Sequence, residues 1–176
     1  WKLLVASPTL ARTMLQDIVT AGHGSTQLFV GLDWGSSQGF APAAVSVFDL
    51  LADSEVMAAS QTAQSHIDAA LAILTAATGL SPSEIVPIPF LFERHLGPDG
   101  FEHLAHMVGT VNLRVANGKV GIPTPHGPVI GGQDLFEQDL LNRLGTSVNA
   151  LGATGQGLGI TFVEDWTDYH VLSGEV

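Results

Sequence analysis

The chain of 176 residues contains no cysteine, so neither a disulfide framework nor a thiolate metal site can form within it. Cations are scarce too: six Lys and Arg stand against seventeen Asp and Glu, a formal net charge of −11. Duplex nucleic acid is therefore not an expected partner, since phosphate binding needs clustered cations. Such a field would draw a cationic ligand, although acidic surfaces also serve solubility alone. No apolar run reaches the roughly 18 to 20 residues of a membrane span. The chain has no initiator Met and no signal-like segment before Trp1, and it ends on Ser173-Gly174-Glu175-Val176 without a polar tail, so both ends read as cut. The compartment stays open.

What is present is a substantial apolar share, 45 %, enough for one ordinary core. Lys2 to Ala6 reads as a buried strand. Ser7-Pro8 then supplies a capping hydroxyl before a proline suited to a first helical turn, and Leu10, Met14, Leu15 and Ile18 keep helical spacing up to Gly22. Gln27 to Leu32 reads as the next strand, and Gly35 to Gly39 as a loop. Glu55 to Thr78, rich in Ala and Leu and stopped by Gly79, predicts the longest helix. Ile85 to Pro89 can be only a short or edge strand, because each proline removes a ladder donor. Thr110 to Ala116, Asn117-Gly118 and Lys119 to Ile122 predict a hairpin with a tight turn. Pro123 to Gly132 reads as a shaped loop without regular structure, Asp134 to Leu144 as an amphipathic helix ended by Gly145, and Ile160 to Val163 as a last strand. The mixture suits an α/β fold of strand-strand-helix-strand modules better than a plain doubly wound sheet.

Several features carry two readings. Gly152 to Gly157 has glycines but no Lys-Ser/Thr ending, which favours a connector over a phosphate loop. His103 and His106, with His95 nearby, could share a helix face as metal ligands, but lack a third donor at supporting spacing, so solvated or core histidines are the plainer reading. Glu164, Asp165 and Asp168 could hold a cation or could be an acidic helix start. No serine sits in a nucleophile elbow, and no His-carboxylate pair has the setting of a hydrolase triad. Taken alone, these residues describe a mixed α/β segment of undetermined activity.

The segment Gly121-Ile122-Pro123-Thr124-Pro125-His126-Gly127-Pro128-Val129-Ile130-Gly131-Gly132 resembles the Gly-Ile-Pro-x-Pro-x-Gly-Pro-Val-Ile-x-Gly stretch of the peptidylarginine deiminases. Leu3-Leu4-Val5-Ala6-Ser7-Pro8, Gly22-His23-Gly24, Pro87-Ile88-Pro89 with Leu91-Phe92, and Tyr169-His170 with Gly174-Glu175-Val176 are similar to further landmarks in the same order. The resemblance implies a five-bladed α/β propeller, of which residues 1–176 would be about two modules of one catalytic domain. It implies hydrolysis of peptidyl-arginine to peptidyl-citrulline and ammonia by a cysteine thiolate, with a histidine handling protons and two carboxylates holding the guanidinium. It sets the nucleophile just after Val176 and the His-x-Asp pair just before Trp1, so none of the catalytic groups falls within the chain, which alone should be inactive. The animal enzymes have a substrate-contacting arginine where Leu172 stands and a histidine where Ser173 stands, so these two are the candidate substrate-binding positions. Calcium is implied as a cofactor, with ligands mostly upstream of Trp1, an arginine-containing protein or peptide as partner, and the cytoplasm as the compartment of animal relatives, with secretion left open. A non-catalytic scaffold of the same fold and a deiminase of small guanidine compounds are the alternatives.

Overall fold

The computed structural model describes residues 2–34, 41–97, 100–117, 119–148 and 159–170. Strand β1 (Leu3–Ser7) runs directly into helix α1 (Pro8–Thr20), where the Ser7 hydroxyl accepts the Leu10 N–H at 3.2 Å and Pro8 fills the first turn. The short strands β2 (Gln27–Leu28) and β3 (Val45–Ser46) pair antiparallel and lead to α2 (Val47–Ala52). The strand expected over residues 27–32 is thus shorter. Phe29 turns into the left-handed region at φ 58° and sends its N–H to the His126 carbonyl instead of a ladder partner.

Helix α3 (Ser54–Thr78) is the longest element, as its composition implies. Asp53 caps its start by accepting the Glu55 and Val56 N–H groups, and Gly79 closes it in the left-handed conformation. After a 3-10 turn over Pro82–Glu84, β4 (Ile85–Pro89) pairs parallel with β1, Leu3 opposite Ile85. This is a two-stranded sheet, so prolines at the alternate positions 87 and 89 can both turn their nitrogens away from the partner. Strands β5 (Phe92–Gly97) and β6 (Gly100–Ala105) form a hairpin that the sequence reading did not anticipate.

The Asn-Gly hairpin is present: β7 (Arg114–Ala116) pairs antiparallel with β8 (Lys119–Pro123), and Asn117 has the positive φ such a turn requires. The following loop holds more order than its prolines suggest. Strands β9 (Val129–Ile130) and β10 (Gln133–Asp134) form a miniature hairpin around Gly131 and Gly132, both at positive φ. Helix α4 (Leu135–Val148) begins one residue later than expected, because Asp134 is its cap, and it continues through Gly145. A glycine within a helix costs only about 1 kcal/mol. Strand β11 (Gly159–Val163) then joins β8 in parallel, completing a three-stranded sheet, and a π-helical turn covers Trp166–His170. The Gly35–Gly39 loop, the Gly152–Gly157 connector, Leu172 and Ser173 lie outside the described residues.

Two apolar cores hold these elements. The larger gathers Ala11, Leu15 and Ile18 of α1, Val47 and Leu50 of α2 and Val56 of α3 with Phe29, Phe136 and Trp166. The smaller joins Val86 and Ile88 of β4, Val120 and Ile122 of β8, and Leu140 and Leu144 of α4. Strand alternation explains the second: Val120 and Ile122 point inward while Lys119 is exposed. Among the described residues five small sheets result, none of more than three strands. Among the described residues no helix is long and apolar enough to cross a membrane.

Candidate functional site

The proline-glycine loop between β8 and β9 organises the chemistry-bearing side chains. His126 lies in it at φ 51°, and its carbonyl accepts the Phe29 N–H at 3.0 Å. Two bulky residues in the left-handed region, joined by one hydrogen bond, store roughly 1–3 kcal/mol of backbone strain apiece. The surrounding packing holds them there. The Phe29 and His126 rings both lie against Trp166, at centroid distances of 5.3 and 5.9 Å, and Trp34 lies 5.2 Å from Trp166 on a further side. The buried Trp166 indole donates to the Asp33 carbonyl at 2.8 Å, so its one polar atom is satisfied.

Next to His126, Gly127 has a purely steric reason to be glycine. A Cβ there would stand 2.5 Å from Asp134 Oδ1 and 2.9 Å from the Phe136 side chain. That carboxylate oxygen accepts the N–H groups of Phe136 at 2.8 Å and Glu137 at 3.1 Å, and so caps α4. Burial pushes the Asp134 carboxyl above the usual Asp range, outweighing the hydrogen bonds from Glu137, Phe136 and Gly127 that pull it down. Glu137 is raised as well, first by burial and then by the Asp134 charge.

Two histidine-carboxylate pairs emerge from this packing. His106 Nδ1 stands 2.9 Å from Glu93 Oε2, with the His106 ring 5.8 Å from Trp34, and its buried Nε2 has no hydrogen-bond partner among the described residues. His126 Nε2 stands 3.1 Å from Glu164 Oε2, and Glu164 Oε1 also accepts the Trp166 N–H at 3.0 Å. Glu164 therefore caps the π-helical turn, which fits the acidic helix start expected there. Neither pair could be read from the sequence, because their members are 13 and 38 residues apart. The positions of His126 and Trp166, in or next to quoted motifs, are the only signal that pointed this way. Each pair fastens two separate segments together, and among the described residues no nucleophilic side chain is hydrogen-bonded to either.

The helix-face arrangement weighed for His103 and His106 does not occur. His103 lies on β6 opposite Arg94, with its ring 6.4 Å from that of His66 on α3, whereas His106 follows the strand and turns into the aromatic cluster. His95 sits on β5 opposite Glu102. Among the described residues no group of three or more His, Asp or Glu side chains is placed to hold a metal ion.

Beyond the cluster, a pocket of about 760 Å³ opens at the β7-β8-β11 sheet, lined by Val111, Leu113 and Val163 among others and reaching Asp165 and His170. A smaller one of about 460 Å³ lies between α1 and α4.

The whole of this framework matches one known family: the family model described as Protein-arginine deiminase (PAD) aligns with residues 1–176. The chain belongs to the protein-arginine deiminase family. Among its curated deiminase relatives, it is 31% identical over 176 residues to the protein-arginine deiminase type-3 of Rattus norvegicus and 29% identical over 177 residues to the type-4 enzyme of Mus musculus. It is 31% identical over 179 residues to the type-1 enzyme of Homo sapiens. Each alignment takes in 100% of the chain, which spans 24% of the length of these relatives. The deiminase family assignment therefore covers every element described above, including the strained Phe29–His126 junction.

Proposed function

We propose that the chain is part of a protein-arginine deiminase, a hydrolase converting peptidyl-arginine and water to peptidyl-citrulline and ammonia. The observation that carries this is the family match over residues 1–176. In this reading a thiolate supplied from outside these residues attacks the guanidinium carbon, since the chain has no cysteine. A histidine moves protons and two carboxylates hold the guanidinium nitrogens, again from outside. The chain's own part is scaffolding: the Trp166 cluster fixes the segment that leads to Leu172 and Ser173, the substrate-contacting positions in this reading. The two apolar cores support a further proposal, that residues 1–176 make about two modules of a five-module propeller. Calcium enters as a proposal from the family alone, and no step here runs through it.

A leucine cannot donate a hydrogen bond to a peptide carbonyl. Leu172, standing where animal enzymes have an arginine, thus favours a second reading, a scaffold member without turnover. A citrulline assay on the intact protein that carries this chain, with an arginine peptide and with or without calcium, separates the two. Citrulline is expected from the intact protein and none from residues 1–176 alone. Absence of product under both conditions would overturn the enzymatic reading.

A further inference from the structure

The outer face of the β7-β8-β11 sheet carries an unusual charge. Only six residues of the chain are Lys or Arg, and two of them, Arg114 and Lys119, line the 760 Å³ pocket. Sheet geometry puts them there. Arg114 is in register with Gly121 and Ala116 with Lys119, so these four residues share one face, and Val115 and Val120 share the other. Arg114 and Lys119 are then diagonal neighbours, a spacing of roughly 7–8 Å at which like charges repel. Gly121, opposite Arg114, contributes no side chain, and a Cβ there would meet nothing closer than Val163 at 3.7 Å. The space between the two cations therefore stays open.

Both cations are exposed, and neither has a hydrogen-bond or ion-pair partner among the described residues. Arg143 by contrast is paired with Asp139, and Lys2 donates to the Ser83 carbonyl. Asp165 lines the same pocket, but among the described residues no carboxylate is ion-paired with either cation. Val111, Leu113 and Val163 give the pocket beneath an apolar part, beside Asn112, Asp165 and His170. A cationic rim over a partly apolar floor suits a carboxylate carried on methylene groups.

We propose that this face binds an Asp or Glu side chain of the substrate peptide, beside the arginine to be modified. The proposal rests on the deiminase reading, in which the pocket's His170 precedes the substrate-contacting position Leu172 by two residues. It gives the protein a preference for arginines in acidic sequence, against the direction in which its overall charge would act. Arg114 and Lys119 are specificity-determining residues in this account, with no part in the chemical step.

The experiment uses the intact protein and two peptides that differ only in Glu or Gln next to one arginine. The Glu peptide should have the higher kcat/KM by roughly fivefold, mostly through KM, the size expected of one or two partly exposed charge pairs. The ratio should shrink as salt is raised. In the double variant Arg114→Gln, Lys119→Gln it should fall to about one, while Arg12→Gln, an exposed cation on α1, should leave it unchanged. A wild-type ratio of one, or a ratio unaffected by the double variant, overturns the proposal. So does a double variant that melts well below the wild type with its ratio intact, since the pair would then serve another part of the same protein. Calorimetric titration with the same peptides runs in parallel. If neither peptide yields citrulline, the deiminase reading fails, while the affinity ratio still decides whether the face binds a carboxylate.

Discussion

Asp134 shows how much one side chain is asked to do at the start of α4. It caps the helix, touches the position where a Gly127 side chain would be, and does so while burial raises its carboxyl above the ordinary range. The folded state thus holds the Asp134 proton more tightly than the unfolded chain, so this residue's contribution to stability falls as pH rises from the usual Asp value through the raised one. Asp134→Asn keeps an acceptor for Phe136 and Glu137 and removes the buried charge. It should match or exceed the wild type in urea denaturation at about pH 7 and lose that advantage near pH 4. A wild type that instead gains on the variant as pH rises would show the hydrogen bonds, not burial, to dominate. The site was legible in part at this scale. The loop around His126 and Gly127 stood out by its prolines and glycines, but its carboxylate partners did not, because burial and long-range approach leave no periodic mark in sequence.

Among elements, α1, α3 and α4 were legible, as were β1, β4, the β7-β8 hairpin and β11, whereas α2, β3 and the β5-β6 and β9-β10 pairings were not. The Ser7, Asp53 and Gly79 caps are local chemistry, and each ends a helix where the residue type says it should. The β5-β6 hairpin went unread although Gly97-Pro98-Asp99-Gly100 is a turn signal, because the flanking runs, Phe92 to Leu96 and Phe101 to Ala105, are broken by charged and His residues and lack clean alternation; His103 lies on a strand rather than a helix. Its attachment to α3 turns on Ser60, whose buried hydroxyl accepts the Phe92 N–H at 2.9 Å and reaches the Phe92 carbonyl at 3.2 Å. Ser60→Ala takes away both contacts and should cost about 1–3 kcal/mol in chemical denaturation. A loss of a few tenths would mean that water reaches Phe92 and takes over both bonds.

Across the whole molecule, apolar side chains remain on the surface in several places. Ile73 is 72% exposed, Val163 50% and Val129 54%, and the second half of α3 carries no charge other than Asp68 and no fully buried residue after Ala63. Residues 1–176 on their own should therefore self-associate and bind a hydrophobic dye, and Ile73→Lys should reduce both. A monodisperse solution with a sharp two-state thermal transition would contradict this. The β1-β4 pairing adds a constraint in time. Leu3 pairs with Ile85, and all of α1, α2 and α3 lie between them. During synthesis this parallel joint cannot close before Ile85 has been made, and the interval before it closes leaves the apolar β1 edge exposed to aggregation.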